Sequence, residues 1–156
     1  MKESIGGTWL FGIFITFLLL IAGFLCFAIN YTKAFKVKDQ IINIIERNGG
    51  INYKAKEDAS LKEINNYITN DVGYRTLGEC PEGYNGYLSN DTATNLKQES
   101  FYCIKEVKVN EKAELNMVYY KILVFFKFDV PVLNSFLDLN FTVKGSTKYI
   151  EKKLES

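Results

Sequence analysis

The stretch TWLFGIFITFLLLIAGFLCFAINYTKAFKVKDQIINIIERNGG, residues 8–50, decides the fold. No charged residue falls between Glu3 and Lys33, and Gly12, Thr16 and Gly23 alone interrupt the apolar run of residues 9–29. At 1.5 Å per residue a helix over that run is about 31 Å long, enough to cross a hydrocarbon core of roughly 30 Å. Trp9 and Tyr31 stand at its two ends, where amphipathic rings favour the headgroup layer. Residues 8–30 therefore read as a transmembrane helix, preceded by a short tail, residues 1–7. A cleaved secretory signal is the alternative, but Lys2 is offset by Glu3 and the apolar run is longer than such signals carry. A lipoprotein signal is excluded because Phe24 and Leu25, not small residues, precede Cys26.

Beyond the span, residues 31–50 keep the helical period while the composition turns polar. Ala34, Val37, Ile41 and Ile44 form one stripe, and Phe35, Ile42 and Ile45 widen it. Lys36, Lys38, Asp39, Glu46 and Arg47 occupy much of the rest. This half must lie on something apolar. Asn48-Gly49-Gly50 ends it, because Asn and Gly tolerate the left-handed conformation that closes helices. Within the span, Gly12, Thr16, Gly23 and Cys26 fall on one face with Leu19 between them. That face either forms a packing seam for another helix or meets lipid.

The chain has 156 residues; with about thirty in the span, the rest makes one domain, residues 51–156, around a single core. Lys plus Arg is 19 and Asp plus Glu 18. With Lys2 and Glu3 cancelling, the part after the span carries no basic field, and nucleic acid is not an expected partner. Cys26 lies within the span, which leaves Cys80 and Cys103 as the pair able to form a disulfide. A bridge requires an oxidising compartment, and the alternative is two reduced thiols in the cytosol. Lys33, Lys36 and Lys38 after the span favour the cytosol by the positive-inside rule. Those lysines belong to a continuing amphipathic helix, so the cysteine pair carries more weight and an extracytoplasmic domain is expected.

Ser60-Leu61-Lys62-Glu63 has the form of a capping box and predicts a short helix over about 60–70, with Leu61, Ile64 and Ile68 on its apolar face. A short strand is expected over 74–77. Residues 78–96, rich in Gly, Asn, Ser, Thr and Asp, read as a long surface loop stapled near its root by Cys80. Tyr84, Tyr87 and Leu88 make that loop either a contact surface or an ordinary variable loop. Residues 101–109 read as a strand, followed by a polar turn over 110–116. In the clearest strand, Val118, Tyr120, Ile122, Val124, Phe126 and Phe128 share one face. That face is the natural bed for the Ala34, Val37, Ile41 and Ile44 stripe. Asp129-Val130-Pro131 stops the strand, residues 132–138 cross over, and residues 139–150 return antiparallel. The expected fold class is α+β, a long transmembrane-plus-amphipathic helix packed on an antiparallel sheet of three or four strands.

Much catalytic chemistry is missing. The chain has no histidine, so the commonest general base and the usual zinc ligand are both absent, and no phosphate-binding glycine loop is present. Glu79 and Glu82 read as solvated loop charge, and Asn85, Asn90 and Asp91 lack the spacing of a calcium loop. No metal, cofactor or catalytic residue is assigned. The triplets beginning at Asn30, Asn90 and Asn140 match the glycosylation pattern, which arises by chance in a chain rich in Asn and Thr.

The near-N-terminal apolar helix after a glycine pair, its amphipathic continuation and a cysteine-bearing antiparallel sheet resemble the type IV pilin-like plan. Gly6-Gly7-Thr8-Trp9-Leu10 with the span, and the strand, proline crossing and strand over 124–151, look most like the Tad-type (TadE/TadF-like) pseudopilins. The resemblance covers the whole chain in outline. It implies a pilin-like fold, a leader cut by a prepilin peptidase after Gly6 or Gly7, and partners consisting of membrane lipid, sister subunits and an assembly platform. The family's glutamate at the fifth mature position has no counterpart here, where Phe11 or Gly12 stands. The resemblance thus implies a minor or accessory subunit of a surface filament or secretion assembly, not an enzyme. The alternative is a single-pass tethered binding or sensing domain that never enters a filament, and an enzyme would need a polar cleft that the sequence does not reveal.

Overall fold

The computed structural model describes residues 2–53, 58–73, 76–88, 93–94, 99–109, 117–127 and 140–152. The polar turn over 110–116, Phe128, the proline crossing and the Asn90 and Asp91 positions lie outside these residues. One helix, α1, runs without interruption over Lys2–Arg47, so the residues read as a tail continue the same helix. The whole apolar half is exposed from Gly7 to Leu25 except for half-buried Gly23. Burial begins in earnest at Phe27 and is complete at Ala34. The helix is long and apolar enough to cross a membrane.

As expected, α1 closes where Asn48-Gly49-Gly50 takes over. Gly49 and Gly50 have φ of 72° and 109°, and the Gly50 amide returns to the Ile45 carbonyl at 2.9 Å. A second helix, α2, spans Ala59–Asn66 and passes into a π-helical turn over Tyr67–Val72, ended by Gly73 at φ 60°. The capping box is not used as predicted. Asp58 caps α2 instead, its carboxylate accepting from the Leu61 amide at 3.0 Å and from the Asn52 amide at 2.7 Å. Asp is as good a cap as Ser, and Ser60 is diverted. Its Oγ donates to the Gly50 carbonyl at 2.8 Å, while Glu63 turns away to Arg47 and Asn48. These contacts fasten α2 to the end of α1.

The sheet is larger than expected. Strands β1 (Asn85–Tyr87) and β2 (Ala93–Thr94) arise inside the stretch read as a loop, followed by β3 (Tyr102–Lys108), β4 (Met117–Lys127), β5 (Asn140–Ser146) and β6 (Ile150–Glu151). All pairs are antiparallel, in the order β2-β1-β3-β4-β5, and β6 returns to β4 beside Met117 and Val118. No strand forms at residues 76–77; Gly78 makes a single bridge to Ser100. Between β5 and β6 the ladder bulges. The Thr147 amide donates to the Tyr120 carbonyl, and Thr147 Oγ1 accepts from the Tyr120 amide, both at 2.9 Å. The hydroxyl thus replaces the carbonyl that an unbulged strand would present.

The alternation in β4 sorts as predicted. Val118, Tyr120, Ile122, Val124 and Phe126 join Ala34, Val37, Ile41 and Ile44 in one core, completed by Ile45, Ile51, Leu61, Ile64 and Ile68. Leu123 and Phe125 point to the opposite face and pack with Cys103, Cys80 and Tyr84. Two residues read as outward are inside. Lys38 is buried because Gly145, the register partner of Ile122, leaves room for its stem; a Cβ there would stand 2.7 Å from Lys38 Cδ. Its ammonium reaches Asp39 at 2.6 Å and lies 3.8 Å from the Phe35 ring centre. Tyr87, in the stretch read as either a contact surface or an ordinary variable loop, is 1% exposed and stacks on Tyr102 with ring centres 5.2 Å apart.

Candidate functional site

The face formed by Gly12, Thr16, Leu19, Gly23 and Cys26 has a fixed relation to the sheet. Each of these residues stands 18 positions, or five helical turns, before Asn30, Ala34, Val37, Ile41 and Ile44 respectively. The stripe that packs on the sheet and the small-residue face are therefore one continuous side of α1. Its outer half is covered by the chain's own sheet and its inner half is bare. No atom lies within 4 Å of where a Cβ would stand on Gly12 or Gly23. The Thr16 hydroxyl donates to the Gly12 carbonyl at 2.9 Å, which keeps the polar group on the helix itself. Cys26 Sγ accepts from the Asn30 side-chain Nδ2 at 4.0 Å. Gly6 and Gly7 fall in the first turns of α1, and a Cβ on Gly7 would also meet nothing.

Where the bare half meets the covered half, aromatic rings clamp the helix to the sheet end. Phe27 meets Phe126 and Phe141 edge-on, with centres 5.8 and 5.9 Å apart, and Phe126 stacks on Phe141 at 5.3 Å. Tyr31 adds an edge contact to Phe126 at 5.8 Å. Such pairs contribute about 0.5–1.5 kcal/mol each beyond area burial, so α1 leaves the sheet at a fixed point and direction. Ring type and helical spacing hinted at this cluster, but the sheet partner of Phe27 depended on register.

On the other face of the sheet, Cys80 and Cys103 form a disulfide with Cα atoms 5.8 Å apart. The bridge holds residues 78–84 over Leu123 and Phe125. Gly78 is needed there, since a Cβ would enter the Phe125 ring. Lys105 and Lys121 are direct register partners on this face, beside the rings of Tyr84 and Tyr119.

A tyrosine cluster closes the far end of the core. The Tyr120 hydroxyl accepts from the Ile51 amide at 3.1 Å, and Tyr102 donates to Asn65 Oδ1 at 3.1 Å. The Tyr87 hydroxyl is buried without a hydrogen-bond partner among the described residues, with Tyr53 and Asn85 nearby. Burial pushes the Tyr87 phenol up to about 12 and also raises Tyr53 and Tyr120, the last opposed by its bond to Ile51. For Lys152, burial is the largest influence and pulls downward, but the bond to Glu106 at 3.0 Å, the Glu106 charge and Tyr120 together outweigh it and raise the ammonium. These groups hold their protons at neutral pH.

No protein-family model, curated protein or solved structure matches the chain significantly. Its function is therefore read from its own geometry. Among the described residues no group of three or more Cys, Asp or Glu is placed to hold a metal.

Proposed function

We propose that this chain is a non-enzymatic, membrane-anchored subunit of a pilin-like assembly, a minor pseudopilin, with its sheet domain outside the cytoplasm. The observation that carries this reading is the continuity of the α1 face. A side of one helix that is buried by its own sheet in one half and bare, with small residues, in the other is built for two packing partners. The first is in the same chain, and the second is another helix.

The same continuity limits how two copies can meet. Two α1 helices paired in parallel at the 8–10 Å spacing of packed helices, seam against seam, would drive both sheets into the gap between them. A sheet alone needs about 10 Å on its packed side. A near-parallel two-fold pair is thus blocked, and a contact between copies has to join the seam of one helix to a different face of the other. That is a heterologous contact, the kind that builds helical filaments rather than closed dimers. The disulfide supports the outside orientation, because such bonds persist in oxidising compartments.

The test is lateral association in membranes. Gly12→Leu with Gly23→Leu places two branched side chains on the seam, where nothing in the chain itself opposes them. Crosslinking between copies should fall several-fold while the sheet domain keeps its disulfide. Unchanged crosslinking overturns the assembly reading and leaves the tethered domain.

A further inference from the structure

A cleft of about 160 Å³ opens beside the aromatic clamp, lined by Asn30, Lys33, Val72, Gly73, Phe126 and Lys127, with Thr76 on its wall. We propose that this cleft binds the phosphate of an anionic lipid headgroup, an inference that rests on the reading of residues 8–30 as a membrane span. Its depth agrees with that occupant. The last apolar residue of the run is Ile29, so Asn30 to Lys33 lie about 1.5 to 6 Å beyond the hydrocarbon edge. The headgroup layer on each side of a bilayer is roughly 5–8 Å thick.

The lining chemistry is suited to a phosphate diester. Lys33 comes from α1 and Lys127 from the end of β4, two elements fixed to each other by the Phe27, Phe126 and Tyr31 contacts. Two lysines on independent elements therefore line one space without depending on a loop to close. Asn30 and Thr76 add an amide and a hydroxyl, and among the described residues no carboxylate lines the cleft. Phe126 and Val72 give the apolar wall along which the glycerol end would leave toward the acyl region. Free inorganic phosphate shares the same charge and acceptor oxygens, so the source has to be separated by experiment.

The full chain is purified in a neutral detergent and examined by native mass spectrometry with phosphatidylglycerol, phosphatidylcholine or inorganic phosphate. One phosphatidylglycerol should be retained in preference to phosphatidylcholine, by about fivefold for each lysine engaged. Lys33→Gln with Lys127→Gln should abolish the preference, and Lys36→Gln, on the same helix outside the cleft, should keep it. Equal retention of the two lipids, or a preference that survives the double variant, overturns the proposal. Inorganic phosphate binding as tightly as the lipid, and lost in the double variant, upholds the phosphate site and overturns the lipid as its occupant. The span itself is checked separately by alkaline carbonate extraction of membranes. Release of the chain there overturns the membrane reading, whereas retention with no lipid preference overturns the cleft alone.

Discussion

Two single-atom changes in the core, Tyr87→Phe and Tyr120→Phe, should move stability in opposite directions. Both tyrosines are essentially inaccessible, at 1% and 0% exposure, and both variants keep the ring. The Tyr120 hydroxyl is the acceptor for the buried Ile51 amide at 3.1 Å, just after α1 has turned through Gly50. Removing it leaves that donor without its partner, at a cost of about 1–3 kcal/mol. The Tyr87 hydroxyl has no partner among the described residues, so its burial is itself a cost of about 1–3 kcal/mol. Deleting it relieves that cost and retains the stack on Tyr102. We expect Tyr87→Phe to gain about 1 kcal/mol and Tyr120→Phe to lose about 2 kcal/mol. Urea unfolding of the full chain in detergent micelles, followed by near-ultraviolet circular dichroism, reads both, with unchanged slopes showing that the states compared are the same. A loss of more than about 1 kcal/mol for Tyr87→Phe would refute the reasoning.

Other outcomes follow from the same contacts. The Tyr87 phenol is raised from 10.0 to about 12, so above pH 10 the unfolded chain releases a proton that the folded chain keeps. Stability should therefore fall as pH rises from 10 to 12, by on the order of 2–3 kcal/mol for this group, and Tyr87→Phe should flatten that slope in alkaline unfolding curves. Reducing the Cys80–Cys103 bridge, which spans 23 positions, should cost about 3 kcal/mol in urea unfolding with and without reductant. In intact cells, alkylation of Cys80 and Cys103 without reductant would place the domain in the cytosol. Gly78→Ala forces a Cβ into the Phe125 ring and should destabilise by about 1–3 kcal/mol, with the midpoint of thermal unfolding as the readout.

The long helix and the two faces of β4 were legible because each follows a single period over many residues. The sheet was undercounted because β1 and β2 are two or three residues long and include Gly86. β1 pairs with β3 and β2 with β1, neighbours that come together only after folding. The capping box misled for a related reason. Asp58 sits two residues earlier and serves both α2 and Asn52, which frees Ser60 for Gly50. Lys38 looked solvated on a helical wheel, and its burial depends on Gly145 more than a hundred residues away, a partner that helical periodicity does not reveal. The relation between seam and stripe needed only counting in steps of 18, but its consequence needed the sheet to be placed on one side of α1.

That placement gives the most direct test. In membranes from cells expressing a Cys26→Ser background, single cysteines at positions 12, 16, 19 and 23 are oxidised, and each variant is also mixed with cysteines at other depths of the span. The account predicts no ladder of same-position dimers, because the two sheets block a near-parallel two-fold pair, and leaves disulfides only between unlike positions. Same-position dimers at all four depths would show a near-parallel two-fold pair and contradict it.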